Sequence, residues 1–428
     1  MTNTHRLPHT RYAHLPAPGR RAVDEYCRHF ANPDTSEPIT VAWAPGRANL
    51  IGEHTDYNDG FVLPVAIDRV IAVAGRAIAG TQSCCYSLHH HRQTSFPADP
   101  LELIELGPRL RGSLWSRYVR GIAIQLAALT GAPVTPPFAA AIAGNVPVGG
   151  GMSSSAALEV ALATFAAALG GPRLPPLETA RLCQRVDNIH VGVRAGIMDQ
   201  AASCLGRRGH AILLDCRSLA YQYVPVRLPG IVLAVFDTGV PHSLANSGYN
   251  ERRSQCEKAA SRLARAIAAT DAARTVSSLR DITPEDLRRY AGALPDVLRR
   301  RARHVVSENA RVLAAVAALR TGDADTLGTL LYASHASLRD DYEVSCPELD
   351  ATVEIASGVP GVLGARLMGA GFGGSALILV REDALPALRA ALATDYPART
   401  GREGTLHICR IAGGPSAATL LEIGERKP

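Results

Sequence analysis

The chain has 428 residues, 47% of them hydrophobic and 20% charged; that exceeds what one hydrophobic core ordinarily serves, so a soluble protein of two domains is expected. Its net charge of +6 is spread along the chain and aromatics make up only 5%, which argues against the basic, aromatic-interleaved stripe of a nucleic-acid binder. There is no apolar run of bilayer length and no apolar signal core, so cytoplasmic residence without a membrane partner is expected.

Residues 1–35, rich in His, Arg and Pro, read as a loosely attached extension with at most a short helix over 23–30. Strand patterns follow at 39–43, 61–67 and 70–79. Cys84 and Cys85 read as strand neighbours pointing to opposite faces. Nine cysteines, an odd number without a CxxC pair, argue against a disulfide framework and a structural zinc site. The triplet His89-His90-His91 reads as a solvated strand end, because consecutive strand side chains alternate faces and cannot all ligate one ion. Helical spacing over 115–129 stops at Gly131-Ala132-Pro133, and a strand over 138–143 runs into Gly144-Asn-Val-Pro-Val-Gly-Gly-Gly-Met-Ser-Ser-Ser155. An Ala-rich helix over 156–169 and another over 178–189 come next. The buried-type strand at 231–236 opens a second domain. Helical Ala, Leu and Arg spacing fills 251–340, where Arg299, Arg300, Arg301 and Arg303 read as a solvated helix face. Strands at 362–368 and 376–380 flank Gly369-Ala-Gly-Phe-Gly-Gly374. The expected division is 1–35, 36–228 and 229–428, and the second half reads as α+β, with helices on one face of a mostly antiparallel sheet.

Three segments carry chemistry. The stretch Gly46-Arg-Ala-Asn-Leu-Ile-Gly-Glu-His-Thr-Asp-Tyr-Asn-Asp-Gly60 gathers Arg47, Glu53, His54 and Asp56 where a buried strand ends. A turn at 58–60 leaves that cluster unexplained, whereas a ligand with many hydroxyls suits it, since each hydroxyl both donates and accepts. Glycines followed by serines at a helix start let backbone N–H groups converge on an anion; on residues alone, a tight turn with a serine cap serves equally well. Only Lys258 and Lys427 are lysines among 45 basic residues, and neither follows a glycine loop, so a P-loop lysine is excluded. Asp199, after Gly196-Ile-Met, reads by itself as an N-capping residue.

Together these segments resemble galactokinases of the GHMP small-molecule kinase superfamily, in five ordered blocks from about residue 39 to 414. The blocks include 45–60, 147–157, 196–200 and 369–374; the segment around Tyr249 and the run 334–349 are similar too. The resemblance implies a two-domain α+β GHMP kinase fold, with a ribosomal protein S5 domain 2-like N-terminal domain, a ferredoxin-like C-terminal domain and the active site between them. It implies phosphorylation of D-galactose at C1 by a monomeric, ATP- and Mg2+-dependent enzyme, giving α-D-galactose 1-phosphate, the first committed step of galactose catabolism. By position, Asp199 faces the C1 hydroxyl and Arg47 lies between Asp199 and the γ-phosphate. Glu53, His54, Asp56, the backbone of Gly196, and Tyr249 hold the sugar. Gly149, Gly150, Gly151, Met152, Ser153, Ser154 and Ser155 cradle the phosphates, with Trp115 and Tyr118 near the adenine. Ser155 and Asp187 hold the magnesium. The chain departs from the family pattern at Met152, where leucine is usual, at Ser375, where cysteine is common, and at Asp187, where glutamate is usual and a side chain one methylene shorter stands. The alternatives are a kinase of N-acetylgalactosamine or arabinose, and a non-catalytic regulator binding galactose and ATP, although such regulators are expected to lose part of the set formed by Ser155, Arg47 and Asp199.

Overall fold

The structure, a computed structural model, describes residues 9–30, 38–107, 110–130, 135–240 and 245–420, the side chains of 245–247 excepted. The expected helix stop at 131–133, the segment 242–244 ahead of Tyr249, and residues 1–8 and 31–35 of the extension lie outside the described residues.

The first half runs β1 (His9–Thr10), α1 (Ala17–His29), β2 (Ile39–Asn49), β3 (Phe61–Val62), β4 (Pro64–Ala77), β5 (Gln82–Ser87), β6 (Arg92–Pro97), α2 (Pro100–Leu106), α3 (Leu114–Thr130) and β7 (Phe138–Gly144). It continues through α4 (Ser154–Ala168), α5 (Pro176–Arg185), α6 (Met198–Leu205), β8 (His210–Asp215) and β9 (Tyr221–Pro225). The second half runs β10 (Ile231–Asp237), α7 (Ala245–Ala268), α8 (Pro284–Arg289), α9 (Asp296–Thr321), α10 (Ala324–Ser337), α11 (Pro347–Ser357), β11 (Val362–Met368), β12 (Ser375–Arg381), α12 (Leu385–Thr400), β13 (Thr405–Cys409) and β14 (Ser416–Leu420).

The first sheet has the order β1-β14-β2-β4-β7-β5-β6, and β3, β8 and β9 form a small sheet of their own. Strands β2, β4 and β7 are apolar on both faces, as strands covered on two sides must be. Val41, Ala72, Ala74, Ala139 and Ala141 face Ala22, Val23 and Tyr26 of α1, whereas Ala42, Ala44, Val73, Ala140 and Ile142 join the main core with α3, α4, α5 and α6. Two expectations change here. The segment around α1 is not loosely attached, because its apolar stripe closes one face of the sheet. The stretch 416–420, assigned to the second domain, is a strand of the first sheet: β14 pairs antiparallel with β2, Ser416 opposite Trp43, and parallel with β1. Without it the long apolar β2 would be an unprotected edge. The expected single strand over 61–67 is also divided, since Phe61 and Val62 pair with Asp215 and Leu214 while β4 pairs with β2.

In the second half, β10, the helices, β11, β12, α12 and β13 form the β-α-β-β-α-β order of a ferredoxin-like unit, with the antiparallel sheet β11-β12-β10-β13. Phe236, Ala376, Ile378 and Val380 point to a core shared with α7, α9, α11 and α12; Val235, Leu377 and Leu379, on the opposite face, belong to the core of the first half. The apolar core is therefore continuous across the domain boundary. Arg301 is no part of a solvated face: it is buried and pairs with Glu343, with Gln255 Oε1 accepting from its Nε at 2.8 Å. All nine cysteines are free thiols. Among the described residues, no helix is long and apolar enough to cross a membrane.

Candidate active site

A register shift between Pro45 and Arg47 interrupts the pairing of β2 with β4, which resumes at Arg47 opposite Ala66, the usual way a bulge re-aims a side chain. Arg47, almost wholly buried, donates from Nε to Asp199 Oδ1 at 2.9 Å and from Nη2 to Asp199 Oδ2 at 3.1 Å, and its Nη1 donates to the Gly151 carbonyl. Two parallel bonds fix the guanidinium and carboxylate in one plane. Ser153 Oγ adds a third donor to Asp199 Oδ2. Asp199 is not the helix cap: Ile197 caps α6 and Asp199 lies in its first turn, where a carboxylate suits the helix dipole. Its side chain stays 32% exposed, so one side remains open to a ligand. Gly46 permits the close approach that makes this possible, since a Cβ there would lie 2.6 Å from the Met152 carbonyl.

The loop before α4 has positive φ at Gly149, Gly151 and Ser153, with Gly150 and Met152 between them outside that region. Such alternation turns successive N–H groups inward into an anion-binding nest, and the α4 N-terminus adds its dipole. Ser153 is the N-cap of α4 but gives no capping hydrogen bond; its hydroxyl goes to Asp199, so the serines do more than cap. Ser375 Oγ donates to the Gly150 carbonyl, which ties the loop to the second half. Beside the loop lies a cavity of about 470 Å3, lined by Gly149, Gly151, Ser153, Ser154, Ser155, Trp115, Leu114, Val148 and Ile142. His90 also lines it, its ring stacked on Trp115 at 5.6 Å, so this part of the histidine triplet is not merely a solvated strand end. Gly150 and Met152 are absent from the lining, and Met152 is buried behind the loop. Tyr118 also lines this cavity, with its hydroxyl on the side chains of Ser155 and Asp187.

A second cavity of about 190 Å3 opens from the first and shares Arg47, Asp199, Tyr118, Ser155, Gly369 and Ala370 with it; Glu53, His54, Asp56, Asp187, Gly196 and Tyr249 are among the other residues of its wall. The polar residues of the 46–60 stretch thus meet Asp199 across one small space. Glu53 is buried and held by Arg366 at 2.5 Å, Asn49 Nδ2 at 2.5 Å and the Gly369 N–H at 3.0 Å. Burial first, and then the charge of Asp199, raises the Asp56 pKa from 3.8 to about 6. Burial, together with His304, lowers His54 to about 3, so the ring is neutral near pH 7. Tyr249, on α7, is half-buried against the His54 and Tyr57 rings, and its hydroxyl accepts from the Gly196 N–H at 3.4 Å.

Asp187 lies in a single π turn, Val186–Val191, after α5, a distortion frequent at functional sites. The expected helix over 178–189 therefore ends earlier. Burial raises Asp187 to about 7, against the pull of the Tyr118 hydrogen bond. Gln200 Nε2 donates to Asp187 Oδ2 at 2.6 Å and lies 3.4 Å from Glu159 Oε2. Among the described residues no three His, Cys, Asp or Glu side chains form a metal-binding group. Nucleotide-bound Mg2+ asks for less, one or two protein oxygens beside phosphate and water, and the Ser155 hydroxyl and Asp187 carboxylate, both bonded to the Tyr118 hydroxyl, are the pair that could hold it.

Sequence reasoning missed Arg366, Glu159, Gln200, Tyr57 and Tyr342. Two of them carried a signal: Glu159 and Arg366 are single charges inside apolar runs, and a charge fully buried in a helix or strand requires a partner.

Two apposed domains, a helix-capped glycine nest and a shared polar cavity define a GHMP-type small-molecule kinase. Family models for the GHMP kinases N terminal domain and the GHMP kinases C terminal match residues 117–207 and 315–398, and the galactokinase galactose-binding signature matches residues 24–77. The chain belongs to the galactokinase family. It is 42% identical to the galactokinase of Roseiflexus sp. (strain RS-1) over 88% of this chain and 92% of that one. Identity to the galactokinase of Chloroflexus aurantiacus is 43%, over 92% of this chain and 96% of that one. Among solved structures, Lactococcus lactis galactokinase complexed with galactose superposes with a TM-score of 0.84 at 34% identity, covering 92% of this chain and 98% of that one. A mevalonate kinase, at 16% identity and a TM-score of 0.60, shares the fold.

Proposed function

We propose that this chain transfers the γ-phosphoryl group of ATP to the C1 hydroxyl of D-galactose, giving α-D-galactose 1-phosphate, the first committed step of galactose catabolism. The observation that carries this reading is the Arg47–Asp199 pair at the junction of the two cavities: a carboxylate reachable from the polar side, fixed by a guanidinium that also reaches the glycine loop. ATP occupies the larger cavity, with its base near Trp115 and its phosphates on the nest from Gly149 to Ser155. The sugar occupies the smaller, among Glu53, His54, Asp56, Gly196 and Tyr249.

In that arrangement Asp199 accepts the hydrogen bond of the C1 hydroxyl and aims its oxygen at phosphorus. A carboxylate paired with arginine is a weak base, so the proton moves late, once the loose transition state has begun to bond oxygen to phosphorus. Arg47 keeps the carboxylate in place and offsets the charge that develops on the transferred group. Mg2+, bound through Ser155 and Asp187, would neutralise phosphate charge. Nine free thiols agree with a reducing cytoplasm, where we place the chain as a monomer.

Steady-state kinetics with a sugar panel test the reading. Galactose is expected to turn over faster than N-acetylgalactosamine or arabinose. Asp199→Asn is expected to abolish turnover while nucleotide still binds, and Arg47→Ala to lower kcat on the order of a hundredfold. Near-normal turnover by Asp199→Asn would overturn the mechanism, and preference for another sugar would overturn the substrate.

A further inference from the structure

Behind His54 stands a file of groups that no part of the mechanism uses. His54 Nδ1 lies 2.7 Å from the Tyr57 hydroxyl, that hydroxyl lies 2.7 Å from the Tyr342 hydroxyl, and Tyr342 Oη lies 3.1 Å from Cys256 Sγ. Three separate segments meet here: the loop after β2, the π turn Leu338–Tyr342 that follows α10, and helix α7. On the other side of the ring, His54 Nε2 is buried without a hydrogen-bond partner, and His54 is one of the residues lining the small polar cavity.

A neutral imidazole carries its proton on one nitrogen only. The ring is neutral, as its depressed pKa indicates, so the two ends of His54 have opposite characters, and whichever nitrogen accepts from the file leaves the other as donor. The backbone carbonyl of Ala370 lies near the ring, outside hydrogen-bond geometry with Nε2. A carbonyl only accepts, so a proton on Nε2 sits beside it better than a lone pair does, and that N–H remains free for a ligand. Nδ1 then accepts from Tyr57, Tyr57 Oη accepts from Tyr342, and Tyr342 Oη accepts the weak Cys256 S–H donor, so each hydroxyl donates once and accepts once. The reverse order would set the Nε2 lone pair against those of the carbonyl.

We propose that Tyr57 and Tyr342 are positioning residues whose hydroxyls lock His54 as an Nε2–H donor toward a sugar hydroxyl. Because Tyr342 and Cys256 belong to the second domain, sugar recognition by a first-domain residue then depends on how the two halves are docked. The proposal rests on the galactose reading of the polar cavity, which supplies the hydroxyl.

Nitrogen-15 NMR of the histidine-labelled full chain tests it, with the His54 signals identified by their loss in His54→Gln. The parent should show a protonated Nε2 and an accepting Nδ1; a proton on Nδ1 overturns the proposal. Tyr57→Phe and Tyr342→Phe keep the ring packing, including the Tyr342 contacts at 4.7 Å with His54 and 4.5 Å with His304. Each should raise the KM for galactose by about five- to tenfold and leave the KM for ATP within about twofold. The double variant should be no worse than Tyr57→Phe alone, because both changes break one file. Additive losses, or equal changes in both KM values, would point to structural damage and overturn the proposal. If the parent phosphorylates no galactose, the functional reading falls and the NMR result alone decides the tautomer.

Discussion

Gly196→Ala is the sharpest perturbation of the sugar side, because its effect can be worked from distances alone. The backbone of Gly196 is not in the left-handed region, so alanine brings no dihedral strain. Its Cβ would, however, lie 1.8 Å from Asp56 Oδ2 and 2.1 Å from Asp56 Cγ. Ordinary contact begins near 3.4 Å, so the carboxylate must retreat by roughly 1.5 Å. Asp56 is tied by the Tyr57 N–H at 2.9 Å and by the Met198 N–H, and retreat breaks at least one of these bonds. Misplacement by about 1 Å at a reacting site costs on the order of a hundredfold in rate. The expected result is a fall in kcat/KM for galactose of about a hundredfold or more, with nucleotide affinity by calorimetry nearly unchanged. The double variant Gly196→Ala/Asp56→Gly relieves the clash and should regain thermal stability without regaining turnover. Full galactose kcat/KM in Gly196→Ala would refute the assignment of Asp56 and Gly196 to the sugar.

Arg366→Met leaves the buried Glu53 carboxylate without its ion pair and removes donors from the Leu50 and Asn49 carbonyls; breaking such a pair costs about 3–5 kcal/mol, so the thermal midpoint should drop clearly, and an unchanged midpoint would show the pair to be dispensable. Asp56, with its pKa raised to about 6, should lose its acceptor as pH falls through 6, so the KM for galactose should climb between pH 7 and 5; a flat profile would contradict this. The sign for stability is opposite: a carboxyl raised above its unfolded 3.8 favours the folded state on the acid side, a contribution lost as pH rises through about 6. Asp56→Asn should therefore melt higher than the parent at pH 7.5 while binding galactose poorly. Asp187→Glu, which restores the missing methylene, should lower the Mg2+ concentration giving half-maximal rate, and an unchanged titration would show that the shorter side chain already reaches.

Much of the site could be read from the sequence because polar residues stood where apolar ones were due. Arg47, Glu53, His54 and Asp56 interrupt a buried strand region, and the glycine loop lies between a strand and a helix with clear periodicity. What stayed hidden had small or ambiguous signals. Of α1, only Ala22, Val23 and Tyr26 are buried members of the apolar cluster that includes alanines of the sheet, so a stretch full of His, Arg and Pro concealed a docked helix. Ser416-Ala-Ala-Thr-Leu420 is too short and too small-sided to announce a strand, and its partner lies at the other end of the chain. Arg301 looked like one of four surface arginines because neighbouring helix residues face different ways, and only its partners from elsewhere, Glu343 and Gln255, mark it as inside. The tyrosine file behind His54 joins residues about 285 positions apart, a relation no local pattern contains.

The pairing of β14 with β2 also bears on how the chain is made. During synthesis β2 leaves the ribosome long before its neighbour on one side, which appears roughly 370 residues later, a wait of some 20–70 s at ordinary elongation rates. Throughout that interval the nascent first domain presents an open, apolar strand edge to the cell. Completion of the sheet thus waits for residues made after every one that lines the two cavities. Co-translational chaperone occupancy should persist until it occurs, and a chain cut short just before 416 should aggregate even though every residue of the nucleotide and sugar cavities has already been made.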